Sequence, residues 1–269
     1  MTSLEFRGRW VIITGASSGL GEALAREFAR RGAKLLLVAR REARLKQLSA
    51  ELARQHGTQS EAIRMDLSEP DAAERLFQFA TSEREVYALV SNAASYWFGD
   101  FSEIPEEKAA RMLQLNALTP LGLLRRFLPY FDRRAQGGAL VITSTGSVMP
   151  TPWQVMYGGS KALLHSAVQS LQYERGGEAA PVALCLCCPG GMPTDLLMRS
   201  AARARIEQQK LVLRTLLQPE CVARQAVARF ATRRLITVPG KLNQLMVLLS
   251  RLLPPSAVGK GATYVYAAR

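Results

Sequence analysis

The sequence predicts an open, doubly wound parallel α/β sheet of about seven strands with helices on both faces, followed by a C-terminal helical appendage. Three observations predict it. Apolar runs of strand length alternate with longer amphipathic stretches along the chain, and the runs are apolar throughout rather than at every second residue. A glycine-rich turn joins the first run to the first amphipathic stretch. Continuous apolar strands are buried on both faces, which is the condition of a parallel sheet sandwiched between helices. No linker-like or low-complexity stretch divides the 269 residues, enough for one large core. The expected organisation is a single domain over 1–240, with a substrate loop at about 191–218, and an apolar helix and tail over 241–269 packed on it.

Strands are expected at Trp10–Thr14, Lys34–Ala39, Glu61–Met65, Ala88–Ser91, Ala139–Thr143, Val182–Cys187 and Leu235–Val238. The first helix, Leu20–Arg31, stops at Gly32, and the second, Arg41–Gln55, stops near Gly57. Further helical periods run from Pro70 to about Ser82, from about Pro105 to Arg133 and from about Val155 to Arg175. In such sheets a ligand sits beyond the strand C-terminal ends, where strand order reverses, and the chemistry-bearing motifs all fall at such ends.

The first is Thr14-Gly15-Ala16-Ser17-Ser18-Gly19-Leu20-Gly21. Glycines let the backbone turn tightly and approach a pyrophosphate, while the free N–H groups and dipole of the helix that follows favour its charge. This is the dinucleotide-binding turn of a Rossmann-type sheet. About twenty residues later, the end of the second strand meets the adenosine ribose. An acid there bonds the 2′-hydroxyl of NAD, whereas arginine accommodates the 2′-phosphate of NADP. Here Ala39 is followed by Arg40 and Arg41, so NADP(H) is expected in preference to NAD(H).

The second motif is Tyr157-Gly158-Gly159-Ser160-Lys161. Four residues apart on a helix, the phenol and the ammonium share a face, and the ammonium favours the phenolate. Ser144, at the end of the fifth strand, could bond a substrate carbonyl oxygen.

With these pieces the chain resembles the short-chain dehydrogenase/reductase family, in its single-domain Tyr-x-x-x-Lys branch, over about Arg7 to Val238. The family's motifs occur in order: the glycine loop, Asp66, Ser91-Asn92-Ala93-Ala94, Asn116, Ser144, Tyr157, Lys161 and Pro189-Gly190-Gly191-Met192-Pro193-Thr194. The resemblance implies that Tyr157 is the general acid that protonates the carbonyl and that Ser144 orients it. Lys161 would lower the tyrosine pKa and bond the nicotinamide ribose, and Asn116 would hold a water linking Lys161 to solvent. The implied cofactor contacts are Gly15, Ser17, Ser18, Gly19, Leu20, Gly21, Arg40, Arg41, Asp66, Leu67, Asn92, Tyr157, Lys161 and Thr194. Of these, Asp66 would meet the adenine amino group, and Thr194 the nicotinamide carboxamide. The chain departs from the family at Ala94, where glycine is usual. It also lacks the short tail that completes many tetramers, so a homodimer is expected before a tetramer.

The net charge is +13, from 35 Lys+Arg against 22 Asp+Glu, which suits an anionic cofactor, carrier or surface. No nucleic-acid module accompanies it, and no nucleic-acid partner is expected. Cys185, Cys187 and Cys188 crowd one strand, the first two on one face and the third on the other, as small apolar packing. Neither their spacing nor that of the two histidines suits a metal. Reduced thiols and the lack of a signal peptide or membrane-length apolar run point to a cytoplasmic protein.

The presumptive substrate loop is apolar and basic, and Trp97, Phe98, Met149, Trp153 and Met156 add an apolar, aromatic character to the site. The expected reaction is NADPH-dependent reduction of a ketone to a secondary alcohol on an apolar small-molecule or carrier-bound substrate. A β-ketoacyl thioester leads, with steroids, quinones or xenobiotic carbonyls as the alternative and a non-catalytic interaction protein as the remote one. After Pro239-Gly240, Lys241–Leu253 carries apolar residues at 242, 245, 246, 249, 252 and 253 on one helical face. Core packing or a subunit contact is the expectation for it; a substrate lid or interfacial anchor is the alternative.

Overall fold

The computed structural model describes residues 3–193 and 216–266. In chain order the elements are β1 (Trp10–Thr14), α1 (Gly19–Arg30), β2 (Lys34–Ala39), α2 (Glu42–His56), β3 (Ser60–Arg64), α3 (Ala72–Ser82) and β4 (Val86–Ser91). Then come α4 (Glu106–Leu113), α5 (Thr119–Asp132), β5 (Gly138–Ile142), α6 (Val155–Glu174) and β6 (Ala183–Cys187). The last are α7 (Pro219–Ala231), β7 (Ile236–Thr237), α8 (Lys241–Leu252) and α9 (Pro255–Tyr266). The strands form one parallel sheet in the order β3-β2-β1-β4-β5-β6-β7. Strand order reverses between β1 and β4, and the crevice at their C-terminal ends is the place for a ligand.

Alternate residues of each strand feed two cores. Val11 and Ile13 join the side covered by α1, α2 and α7, where Phe6 packs edge-on against Phe28 and stacks on Phe230. Ile12 faces the other side, filled by α3, α5 and α6 through Leu76, Phe127, Phe131 and Leu164. The cysteines divide as their spacing predicts: Cys185 and Cys187 in the first core, Cys188 in the second. Burial holds these thiols well above their ordinary range, with Cys185 pushed up to about 12 and Cys188 to about 11.

Beyond one-residue shifts at β5 and β6, a shorter β7 and the unexpected helices α7 and α9, three differences from the expected elements stand out. β4 begins two residues earlier, and the β3 window slides by one. The single long helix expected from Pro105 to Arg133 is interrupted by a π-helical turn at Gln114–Leu118. Pro120, at the start of α5, has no N–H to return to the carbonyl of Asn116, so the ladder cannot run through.

The third difference is α8, whose packing is the inverse of the one its periodicity predicts. Asn243 and Val247 are its buried residues, while Leu245, Leu248, Leu249 and Leu252 are exposed.

Candidate active site

β1 and β4 are locked at their C-terminal ends by one hydroxyl and one amide. Thr14 Oγ1 accepts from the backbone N–H of Asn92 at 2.8 Å and of Ala93 at 3.0 Å, and Asn92 Nδ2 donates to the Thr14 carbonyl at 2.9 Å. The chain then turns at Gly15, with φ +69°, where a Cβ would lie 2.8 Å from the Ala93 Cα. A Cβ on Gly21 would collide with the Gly15 carbonyl. Only glycine fits either place, because α1 leaves the turn pressed against it. Ser18, the residue before α1, makes no side-chain cap, so the first N–H groups of the helix stay directed at the crevice.

The Ser18 hydroxyl is used otherwise. Arg41 Nη2 donates to Ser18 Oγ at 2.5 Å and to Ser17 Oγ at 3.0 Å, and its Nε reaches Ser17 Oγ at 3.2 Å. The exposed guanidinium therefore lies across the glycine loop. Arg40 lines the same crevice on the side of Asp66. Burial alone would raise the Asp66 carboxyl. It is nevertheless held below its ordinary range by the N–H and hydroxyl of Ser68, at 3.0 and 2.7 Å, and by Arg40 and Arg111. Arg111 Nη2 lies 3.0 Å from Asp66 Oδ2.

At the other end, β5 delivers Ser144, whose Oγ accepts from the Gly146 N–H at 3.1 Å. Tyr157 and Lys161 stand one turn apart in α6, and Tyr96 packs edge-on against Tyr157 with ring centroids 5.0 Å apart. Lys161 is 2% exposed and donates through Nζ to the Ile142 carbonyl at 2.9 Å. Burial pushes its amine down to about 8.

These groups share one cleft of about 670 Å³. All the expected cofactor residues within the described chain line it, as do Ser144, Tyr157 and Lys161; Thr194 lies outside the described residues. Trp97, Phe98, Met192 and Leu115 contribute apolar wall, but Met149, Trp153 and Met156 do not line it. Most of the expected substrate loop, 194–215, also lies outside the described residues.

Asn116 is not among the lining residues. From the π-helical turn its amide donates to the Ser95 carbonyl and to Ser160 Oγ, both at 3.0 Å, and accepts from the Ser95 N–H at 2.8 Å. It thus ties the segment after β4 to the helix that carries Lys161, from behind the cleft. Ala94 keeps a negative φ, so the alanine fits without backbone strain.

Sequence reasoning missed Tyr96 and Lys108 in the cleft wall and Arg111 beside it on Asp66; Tyr96 falls in the irregular stretch after β4, and for Lys108 and Arg111 on α4 the helical period does not say which face meets the site. Trp153, expected at the site, stands instead outside the cleft lining, with a φ of +58° that is unusual for a bulky side chain and a carbonyl that accepts from the Gly99 N–H at 2.9 Å. Among the described residues no group of three or more His, Cys, Asp or Glu could hold a metal ion, and no helix is long and apolar enough to cross a membrane.

The family model for short chain dehydrogenases matches residues 9–205. The chain belongs to that family. This short-chain dehydrogenase is 27% identical over 247 residues to a 7beta-hydroxysteroid dehydrogenase of Mediterraneibacter gnavus, covering 92% of each chain. It is 33% identical over 185 residues to a very-long-chain 3-oxoacyl-CoA reductase of Pyricularia oryzae, covering 67% of this chain and 56% of the relative. Among solved structures, it superposes on a short-chain dehydrogenase from Sphingobium yanoikuyae in complex with NADPH, with a TM-score of 0.78, 26% identity and 95% of both chains covered. The protein is an oxidoreductase acting on hydroxyl or carbonyl groups with a nicotinamide cofactor.

Proposed function

We propose that the protein is an NADP(H)-preferring reductase that converts a ketone on a bulky apolar substrate to a secondary alcohol. The observation that carries the reading is the meeting of Ser144, Tyr157 and Lys161 with the glycine loop in one cleft at the strand C-terminal ends. The cradle fits a dinucleotide: Gly15 and Gly21 leave no room for a Cβ, and the uncapped start of α1 points N–H groups at the place of the phosphates. Arg41, spread over Ser17 and Ser18 with Arg40 beside it and no acid at the end of β2, supports a 2′-phosphate in preference to a free hydroxyl.

A nicotinamide cofactor, when bound, supplies the hydride. Tyr157 gives the proton to the carbonyl oxygen, and Ser144 donates a hydrogen bond to the same oxygen and fixes its direction. Lys161, its amine lowered to about 8, exchanges protons near neutral pH, and in its charged form lowers the tyrosine pKa. Asn116 acts at one remove, holding Ser160 and hence the helix turn between Tyr157 and Lys161.

Coverage of nearly the whole chain by the hydroxysteroid relative favours a fused-ring ketone as substrate, with the β-ketoacyl thioester as the second reading, supported by the 3-oxoacyl-CoA relative. Oxidation of NADPH followed against a panel of steroid ketones, β-ketoacyl thioesters and quinones, with Tyr157→Phe as the control, tests both levels. Turnover confined to one class identifies the substrate. Turnover that survives the tyrosine replacement overturns the mechanism.

A further inference from the structure

The helix α8 is inside out. At about 100° per residue, Lys241, Leu245, Leu248 and Leu252 line up along one stripe, and Leu249 and Leu242 widen it. Asn243 and Val247, the two buried residues, lie on the opposite side, about half a turn away. Leu245, Leu248 and Leu252 are 49%, 52% and 71% exposed. Asn243 faces inward, donates to the Pro239 carbonyl at 3.0 Å and sits so close to Gly190 that a Cβ there would lie 2.6 Å from Asn243 Oδ1. Among the described residues of α9, none from Pro255 to Tyr264 is buried, and Tyr264 is exposed. A contiguous exposed leucine face of this kind is rare on a soluble surface without a partner.

Charge selects the partner. No Asp or Glu follows Glu220, whereas eight Lys or Arg do. Lys241 stands in the leucine stripe itself, and Arg251 and Lys260 are exposed on α8 and α9. A second copy docked face to face through this patch would bring like charges together without an acid to meet them. A surface that is apolar beneath and anionic above meets both features at once.

We propose that α8 and α9 form a docking face for an anionic lipid bilayer, the leucines entering the headgroup boundary and the lysines and arginines pairing with lipid phosphates. The inner side of the same helix borders the cleft, since Asn243 packs on Gly190, and Gly190 and Met192 line the cleft. No part of the inference depends on which ketone is reduced.

The test is co-sedimentation of the full chain with vesicles of phosphatidylcholine alone and of phosphatidylcholine mixed with phosphatidylglycerol, at low and high salt. Binding to the mixed vesicles that weakens with salt is expected. The double variant Leu248→Ser/Leu252→Ser and the double variant Lys241→Glu/Lys260→Glu should each cut that partitioning by about tenfold or more, with reduction of a small soluble ketone unchanged. Arg54→Glu on α2, also exposed but on another helix, should leave it nearly unaltered. The proposal is overturned if the mixed vesicles are not bound, or if Arg54→Glu weakens binding as much as the patch variants, since binding is then diffuse attraction to a basic protein. It is also overturned if the leucine variant turns an oligomer into a smaller species in light scattering, because a second copy then covers the face.

Discussion

Replacing Lys161 by methionine isolates the free energy of keeping an amine inside this fold. The side chain is buried, its ordinary value is 10.5, and burial lowers it to about 8. A difference of about 2.5 at about 1.36 kcal/mol each means that charging the amine is less favourable in the folded chain by about 3 kcal/mol. Above about pH 10.5 the amine is neutral in both states and the penalty vanishes. As pH falls toward about 8 the unfolded chain takes up the proton first, so the folded state loses stability through that window. Below about 8 both states are charged and the loss stays constant. Methionine carries no proton, and it leaves the Ile142 carbonyl without its 2.9 Å donor at every pH, which adds an offset but no slope. Wild type should therefore gain about 3 kcal/mol on the Lys161→Met variant between about pH 8 and about pH 10.5. Urea unfolding of both proteins across that range measures it, and titrations of groups remote from Lys161 cancel in the difference. A difference that stays flat would mean that the amine titrates as in water. The account of Lys161 as a group poised near neutral pH would then fail with it.

Tyr157→Phe removes one hydroxyl, so it should preserve folding and NADPH binding while lowering kcat by about 10²- to 10⁴-fold; stopped-flow turnover and cofactor fluorescence check the two halves. Arg41→Asp should weaken NADPH binding by about tenfold or more relative to NADH, and by more than Arg40→Asp does, because Arg41 holds Ser17 and Ser18 of the phosphate loop. Titration calorimetry with both cofactors decides it, and an unchanged ratio in the Arg41 variant would assign the phosphate to another group. Gly21→Ala ordinarily favours a helix, yet here the methyl meets the Gly15 carbonyl and lies 2.7 Å from Asn92 Nδ2, so thermal unfolding should show a loss of about 1–3 kcal/mol together with weakened cofactor binding.

Most of this fold was legible because its signals are local. Continuous apolar strands, glycine stops after the first two helices and the strand–turn–helix at Gly15–Gly21 each report on their own neighbourhood, and the sheet follows from them. The cleft residues were legible for the same reason, each standing at a strand end or one helix turn from a partner. What was not legible depends on long-range approach. Arg111 meets Asp66 across 45 positions of sequence, and the choice of Arg41 over Arg40 to lie on Ser17 is set by where β2 ends and α2 begins. Asn116 illustrates the limit from the other side: its motif position was recognised, but its amide is already spent on Ser95 and Ser160, which only the packing of α6 against the π-helical turn reveals.

The helix α8 shows why periodicity alone cannot give direction. An apolar stripe at helical spacing measures how far a helix is amphipathic, and in a globular domain the stripe ordinarily turns inward because burial stabilises it there. Two features of this chain work against that default. Asn243 is drawn inward by the Pro239 carbonyl and by the space over Gly190, a fit available to no leucine without displacing the turn that forms the cleft rim. The first core, meanwhile, is closed by α7, whose Val222, Ala226, Val227 and Phe230 are fully buried. With both its inward anchor and its outward stripe fixed, the helix presents leucine and lysine together to the outside, and the last acidic side chain of the protein precedes it by twenty-one residues. A helix kept in that orientation only as a core element would lose its apolar stripe to polar substitution without harm; one kept for a lipid surface would not. The Leu248→Ser/Leu252→Ser variant therefore discriminates between packing and docking: a stability gain with unchanged partitioning favours the first, unchanged stability with lost partitioning the second.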